Sequence, residues 1–322
     1  MKLGVFNPIL AGMSYEKAMK YLADSGVQAV EIGCGGFPGK AHCDPKVLLN
    51  DAAALDHFSG VLRENNLELS ALSTHGNYVH PNKAIAKGFC DDLEGAVLLA
   101  EKLGVDRIIA FSGCPGGSAE DKTPNWVTCA WPEDFPAILD YQWNEVLIPF
   151  WKKTCAFANE HGVRRIALEM HPGFCVYNPK TLMRLREAVG STIGANLDPS
   201  HLFWQGIDIV RAIREMGEAI YFFHAKDTKL DPVVCPVNGV LDTGSFANFT
   251  ERSWLFRSVG YGHDLLTWRD IVSNLRLVGY DDVLSIEHED GLMTPEEGLQ
   301  KAIAFLKQVL MFENQNSDMF WA

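Results

Sequence analysis

A rhythm in the chain narrows its fold more than any other feature. Short aliphatic, β-prone runs alternate with longer helical runs eight times between residues 2 and 310. The β-prone runs are residues 2–6, 29–33, 69–74, 107–112, 165–170, 192–197, 220–225 and 283–288. The helical runs cover residues 47–66, 91–103, 142–161, 179–189, 207–216, 267–278 and 295–310. A first helix precedes them, with Ser14 as its N-cap and Glu16 to Lys20 in its opening turns. Eight βα units in order predict a parallel sheet closed on itself, an α/β fold of the (β/α)8 TIM-barrel type. The barrel is expected as a single domain over residues 1–312, followed by a mostly polar tail at 313–322. The competing fold, an open doubly wound sheet, carries a glycine-rich phosphate turn after its first strand. Here that turn reads NPILAGM. The segment GCGGFPG after the second strand has no GxGxxG and is interrupted by Pro38, so it reads as an ordinary mobile loop.

Composition limits the partners. A chain of 322 residues that is 47% hydrophobic can bury one large core. Its formal net charge of −13 repels phosphate backbones and anionic lipid, so neither nucleic acid nor a membrane surface is expected as a partner. The MKLGVFNP start has no apolar signal core, and no run approaches the roughly 18 apolar residues of a membrane span. The eight cysteines are scattered with no CxxC pair, which reads as reduced thiols and a cytoplasmic location.

Two βα connections are long, residues 113–140 after strand four and 229–264 after strand seven. In a barrel such loops stand over the catalytic face. Trp126, Trp131, Trp254 and Phe256 are therefore placed either to wall a pocket or to pack the loops onto the rim.

Chelating residues gather at the C-terminal ends of the last four strands. Strand five ends ALEMHP, strand six GANLDPSH, strand seven FFHAKD and strand eight LSIEHED. Side chains alternate along a strand with period two. Glu169 shares a face with His171, Asn196 with Asp198, His224 with Lys226, and Glu287 with Ser285 and Glu289. If those faces point inward, Glu169, Asp198, His224 and Glu287 converge. Buried carboxylates are costly unless paired or coordinated, and one divalent cation among these four side chains removes that cost. An oxygen-dominated set with one imidazole suits Mn²⁺ best, with Mg²⁺, Co²⁺ or Fe²⁺ as alternatives.

This ordered set resembles the xylose-isomerase-like TIM-barrel superfamily, the sugar phosphate isomerase/epimerase group. Its members include D-tagatose 3-epimerase, inosose dehydratase and the barrel subunit of C-glycoside deglycosidases. The resemblance spans nearly the whole chain and is strongest over residues 165–290. It implies that Glu169, Asp198, His224 and Glu287 are metal ligands and that His201, in DPSH, contacts a substrate oxygen. It also implies that THGNYVHP, with His75, Asn77 and His80, faces substrate. The segment FRSVGYGHDLLTW is similar to the group's loop after strand seven, with Arg257, Gly260 and Gly262 aligned. Where related enzymes often carry an acidic residue this chain has His263, to which no catalytic role is assigned.

The expected activity is metal-dependent isomerisation or epimerisation of a sugar or sugar-like polyol ketone. Glu169 or Glu287 takes the proton beside the carbonyl, and the other returns it. His201 and Lys226 are candidates to stabilise the oxyanion, Lys226 alternatively being an ion-pair partner of Asp227 or Glu289. His171 is a candidate acid/base or a group that orients a ligand. The same site can instead run elimination, as a dehydratase or lyase on a keto-sugar or 3-oxo-glucoside. An endonuclease IV-like repair enzyme would need more histidine ligands and a basic face, and every proposed ligand being an intact chelator argues against a vestigial site. With only Lys226, Lys229, Arg252 and Arg257 as nearby cations, a non-phosphorylated substrate is favoured. Phe320 and Trp321 either meet another subunit or fold back on the barrel, leaving a homo-oligomer or a small partner subunit open.

Overall fold

The computed structural model describes residues 1–313, so Phe320, Trp321 and nearly all of the expected tail lie outside the described residues. Seven strands form in succession: β1 (Lys2–Phe6), β2 (Ala29–Gly33), β3 (Glu68–Ser73), β4 (Arg107–Phe111), β5 (Arg165–Glu169), β6 (Ile193–Leu197) and β7 (Ile220–Ala225). Two further strands, β8 (Asp227–Leu230) and β9 (Trp254–Arg257), pair antiparallel as a separate ribbon. The last strand, β10 (Val283–Ile286), pairs parallel with both β1 and β7 and closes the barrel in the order β1-β10-β7-β6-β5-β4-β3-β2.

Local chemistry sets the helix boundaries. Ser14 accepts from Lys17 N and caps Tyr15–Asp24. The helix expected over 47–66 is two, Pro45–Leu48 and Ala52–Glu64, because Asp51 accepts from Ala53 N and Ala54 N and starts a new cap. The helix expected from residue 91 starts at Lys83, where Asn82 caps it. The run expected over 142–161 begins at Asp134 and passes through a widened π turn, Tyr141–Leu147, before Ile148–Glu160. Pro149 lacks the N–H that a regular turn needs there. The connection after β7, expected to be irregular, instead carries the β8–β9 ribbon and the short helix Cys235–Asn238.

Inside the barrel lies an apolar plug of Ala29, Ala71, Ile109, Ala167, Phe222 and Val283. Arg107 closes the N-terminal end beneath it, its guanidinium 5.1 Å from the Phe222 ring centre and bonded to Asp282 at 2.5 Å. The larger core fills the shell between strands and helices.

Candidate metal centre and its cavities

Strand periodicity carries the plug residues into a polar layer. Two positions further along the same strands stand Glu31, Ser73, Phe111, Glu169, His224 and Ser285. Glu31 is fully buried and organises this layer. It accepts from Ser73 Oγ at 2.5 Å and Ser285 Oγ at 2.7 Å, and its oxygens lie 2.9 and 3.0 Å from His224 Nε2. A carboxylate only accepts, so Nε2 carries a proton and Nδ1 is the nitrogen turned toward the centre. His224 Nδ1 makes no hydrogen bond, although Glu169 Oε2 and Glu287 Oε2 lie 3.1 and 3.2 Å away. Burial disfavours an imidazolium here, but Glu31, Glu287 and Glu169 outweigh it and raise the His224 pKa well above the ordinary histidine value.

Glu169 is bonded on both oxygens. Oε1 meets His201 Nε2 at 2.9 Å, while Oε2 meets His75 Nε2 at 3.0 Å and Asn196 Nδ2 at 3.2 Å. Burial pushes its pKa up, yet the contacts of His201, His224 and His75 prevail and hold it well below the usual carboxylate range. Asp198 divides its oxygens. Oδ1 accepts from Ser200 N at 2.8 Å, whereas Oδ2 makes no aligned hydrogen bond, although Lys226 Nζ lies 3.1 Å and His201 Nε2 3.4 Å from it. Burial raises the Asp198 pKa, against the pull of Lys226 and His201.

One ligand atom each from Glu169, Asp198, His224 and Glu287 lies within 4.8 Å of the others. His75, Glu169 and His224 form a second such group. The four-residue set fits a divalent cation on two grounds. Two of its atoms, Asp198 Oδ2 and His224 Nδ1, are buried without hydrogen bonds. The four carboxylates of Glu31, Glu169, Asp198 and Glu287 also outnumber the two cationic groups among them, Lys226 and the His224 ring, and so leave an excess of negative charge. The Lys226 ammonium lies 2.7 Å from Glu287, 2.9 Å from Glu289 and 3.1 Å from Asp198. Burial lowers its pKa, but those carboxylates raise it well above the ordinary lysine value. Asp227 is not its partner. It accepts instead from the backbone of Gly260, Gly262 and His263 and from the Trp268 indole, anchoring the loop after β9. A Cβ on Gly262 would lie 2.3 Å from Asp227 Oδ1, which explains the glycine there.

Two cavities open above this centre. The first, of about 450 Å³, is lined by Phe6, Phe37, His75, Phe111, His171 and Glu287 among others. The second, of about 520 Å³, shares His171 and Glu289 with it. His171 Nδ1 donates to the Pro172 carbonyl at 2.6 Å, and its ring lies 4.1 Å from that of His201. Burial, then the charge of His201, lowers the His171 pKa to about 3, so the ring stays neutral and Nε2 is an acceptor.

Four expected substrate contacts line neither cavity: Lys226, buried among Glu287, Glu289 and Asp198, and Asn77, His80 and Arg257. Asn77 pairs its amide with both the N–H and the carbonyl of Cys114, at 2.9 Å each, and so ties down the loop after β4. His80 Nδ1 accepts from Asn82 N at the start of helix Lys83–Leu103. Arg257 bonds Asp290 at 3.0 Å and lies under Tyr261. Trp126, Trp254 and Phe256 wall the second cavity, whereas Trp131 is 75% exposed and walls neither. The GCGGFPG segment is not a loose loop. Gly36 N bonds Asp92, Phe37 N bonds the His75 carbonyl, and Phe37 and Pro38 line the first cavity. Glu31 was not among the site residues expected from the sequence. Its signal was a charged residue in AVEIG, on the opposite face of the strand from the outward Val30 and Ile32.

Residues 19–309 match the family described as xylose isomerase-like TIM barrel. The chain is 38% identical over 312 residues to the uncharacterized protein YfiH of Bacillus subtilis (strain 168), covering 96% of this chain and 99% of that one. Among solved structures, the probable 3-DHS dehydratase AsbF of Bacillus anthracis superposes with a TM-score of 0.67 at 16% identity, over 95% of this chain and 99% of that one. A D-psicose 3-epimerase superposes with a TM-score of 0.62 at 15% identity, over 96% and 99%. Among the described residues no helix is long and apolar enough to cross a membrane.

Proposed function

The chain belongs to the xylose isomerase-like TIM-barrel family, and on that premise we propose that it is a divalent-metal-dependent isomerase or epimerase of a sugar or sugar-like polyol ketone. The observation that carries this reading is the convergence of Glu169, Asp198, His224 and Glu287 within 4.8 Å, with two of the four ligand atoms lacking hydrogen bonds. Those four residues hold the cation, with Mn²⁺ the best match to three carboxylates and one imidazole. When bound, it supplies Lewis-acid polarisation of a carbonyl and its neighbouring hydroxyl.

The protein's own groups do the rest. Glu287 lines the first cavity and takes the proton from the carbon beside the carbonyl. Glu287 hands that proton to the neighbouring carbon in an isomerisation; in an epimerisation Glu169, one layer deeper, delivers a different proton to the opposite face, drawn from the Nε2–H of His201 that it contacts, while the first leaves to solvent. The Lys226 ammonium and the His201 ring face the oxygen on which charge develops in the ene-diolate. His171, held neutral, accepts a hydrogen bond from a substrate hydroxyl and keeps the sugar in place. His75 closes the opposite side by its bond to Glu169.

Proton exchange followed by NMR in D₂O with Mn²⁺, across ketoses, inososes and 3-keto-glucosides, tests the proposal. Deuterium enters beside the carbonyl of the true substrate class, and Glu287→Gln slows its entry about 10²-fold or more. No exchange with any member of the panel overturns the reading. The dehydratase or lyase alternative, for which the second cavity leaves room beside the centre, shows in the same spectra as loss of a leaving group.

A further inference from the structure

The second cavity has a chemistry of its own. Trp204 stacks on Trp254 at 4.7 Å with 6° between planes, and Phe246 stacks on Phe256 at 5.9 Å with 9°. The buried Arg252 guanidinium braces this wall, 4.1 Å from the Phe246 ring centre and 4.7 Å from that of Trp254, while bonding the carbonyls of Gly244 and Trp254. The wall runs directly into the polar centre. The Phe256 ring lies 5.3 Å from the His201 ring and 4.7 Å from Lys226 Nζ. A sugar held at the centre would therefore present a substituent to the aromatic wall without crossing open solvent.

The polar groups of the wall decide what that substituent is. Asp242 accepts from Gly244 N and Ser253 N, one on each oxygen, at 2.7 Å. Trp254 Nε1 donates to the Val240 carbonyl at 3.0 Å, and Glu289 bonds Lys226. These groups are engaged within the protein, and the partnerless indole N–H groups of Trp126 and Trp204 are buried beneath the lining surface, so a second sugar ring would bury hydroxyls with few partners. A flat apolar ring loses nothing there and gains stacking. Leu241 and Phe246, at 63% and 56% exposed, form the mouth that such a ring would cover. The first cavity alone, at about 450 Å³, already accommodates a monosaccharide.

We propose that the second cavity is a subsite for an aromatic aglycone, so that the substrate is a keto-sugar carrying an aryl group rather than a free ketose. This rests on the polar centre being the sugar site. The probes are phenyl and methyl 3-keto-β-D-glucopyranosides, titrated calorimetrically into the Mn²⁺-loaded protein. The phenyl compound is expected to bind about tenfold or more tightly than the methyl compound. That ratio is expected to fall toward one in Leu241→Asp, whose side chain is exposed and whose folding is checked by thermal melt, and in Phe246→Ala. Equal affinities in the wild type, or no binding of either probe, overturn the subsite. So does a dimer that Leu241→Asp dissociates while the ratio stays unchanged, because the apolar mouth would then belong to a second copy of the chain. Isotope exchange on free ketoses without any phenyl preference defeats the subsite alone. A phenyl preference without Mn²⁺-dependent exchange defeats the isomerase reading and leaves the subsite standing.

Discussion

Replacing Glu31 with glutamine tests how the centre is held. Three groups converge on the Glu31 carboxylate, the hydroxyls of Ser73 and Ser285 and the Nε2–H of His224, and all of them donate. Glutamine keeps the shape but turns one acceptor into a donor. Either a serine hydroxyl rotates to accept, or His224 moves its proton from Nε2 to Nδ1, the nitrogen needed for ligation. Removing such a carboxylate behind a metal-ligating histidine typically lowers affinity about 10- to 100-fold, which is about 1.4–2.7 kcal/mol. Charge supplies a second readout. Glu31, Glu287 and Glu169 favour the protonated His224 ring, so metal uptake is expected to expel a proton. Wild-type affinity for Mn²⁺ is therefore expected to rise with pH, with proton release on binding. Of the charges that raise this pKa, Glu31 is the largest, so the variant releases fewer protons while binding more weakly. Calorimetry in two buffers of different ionisation enthalpy gives both numbers. A dissociation constant within about twofold of wild type, with unchanged proton release, would refute the reasoning.

Other perturbations separate the centre from its scaffold. Lys226→Met leaves Asp198, Glu287 and Glu289 facing one another, and is expected to cost about 3–5 kcal/mol in EDTA; the melting-point rise on adding Mn²⁺ should exceed that of wild type, and an equal or smaller rise would count against shared carboxylates. Asn77→Ala should lower stability to urea by about 1–3 kcal/mol through the loop after β4 while leaving KM within about twofold. A large KM change at unaltered stability would return Asn77 to the substrate. Gly262→Ala forces a Cβ to 2.3 Å from Asp227 Oδ1 and 2.4 Å from the Thr228 carbonyl, and should destabilise by about 1–3 kcal/mol in the same assay.

The barrel was legible in the sequence because each βα unit writes its own period and its own caps. Helix Pro179–Val189 and strands β1, β2 and β7 fall where the pattern places them. The four-residue cluster was legible for a related reason. In a parallel barrel all strand ends point the same way, so chelators at four C-terminal strand ends must meet if they face inward. Contacts set by loops were harder to read. Asn77 and His80 occupy a loop whose backbone needs hydrogen-bond partners, and that local need claims both side chains. Arg257 was indistinguishable from an anion-binding arginine until Asp290, 33 residues away in sequence, appeared beside it. Glu31 was legible too, since its inward position follows from the same alternation that singles out Glu169.

Depth in the barrel also explains why two similar carboxylates receive different roles. Glu169 lies level with Glu31 and His224, hydrogen-bonded on both oxygens and 1% exposed. Accepting a proton there means breaking a contact to His201, His75 or Asn196. Glu287 lies one layer higher, at the floor of the first cavity. Burial works against its ionisation, but Lys226 and then His224 overcome that and hold its pKa well below the usual carboxylate range. It is thus held as a carboxylate at the cavity lining, yet weak as a base while the ammonium lies 2.7 Å away. In the proposed reaction the two properties are reconciled in time. As negative charge grows on the substrate oxygen, Lys226, already shared among Glu287, Glu289 and Asp198, has a further anion to serve, and its hold on Glu287 relaxes. The carboxylate gains basicity at the stage when the carbon-bound proton is leaving, without any change in the fold.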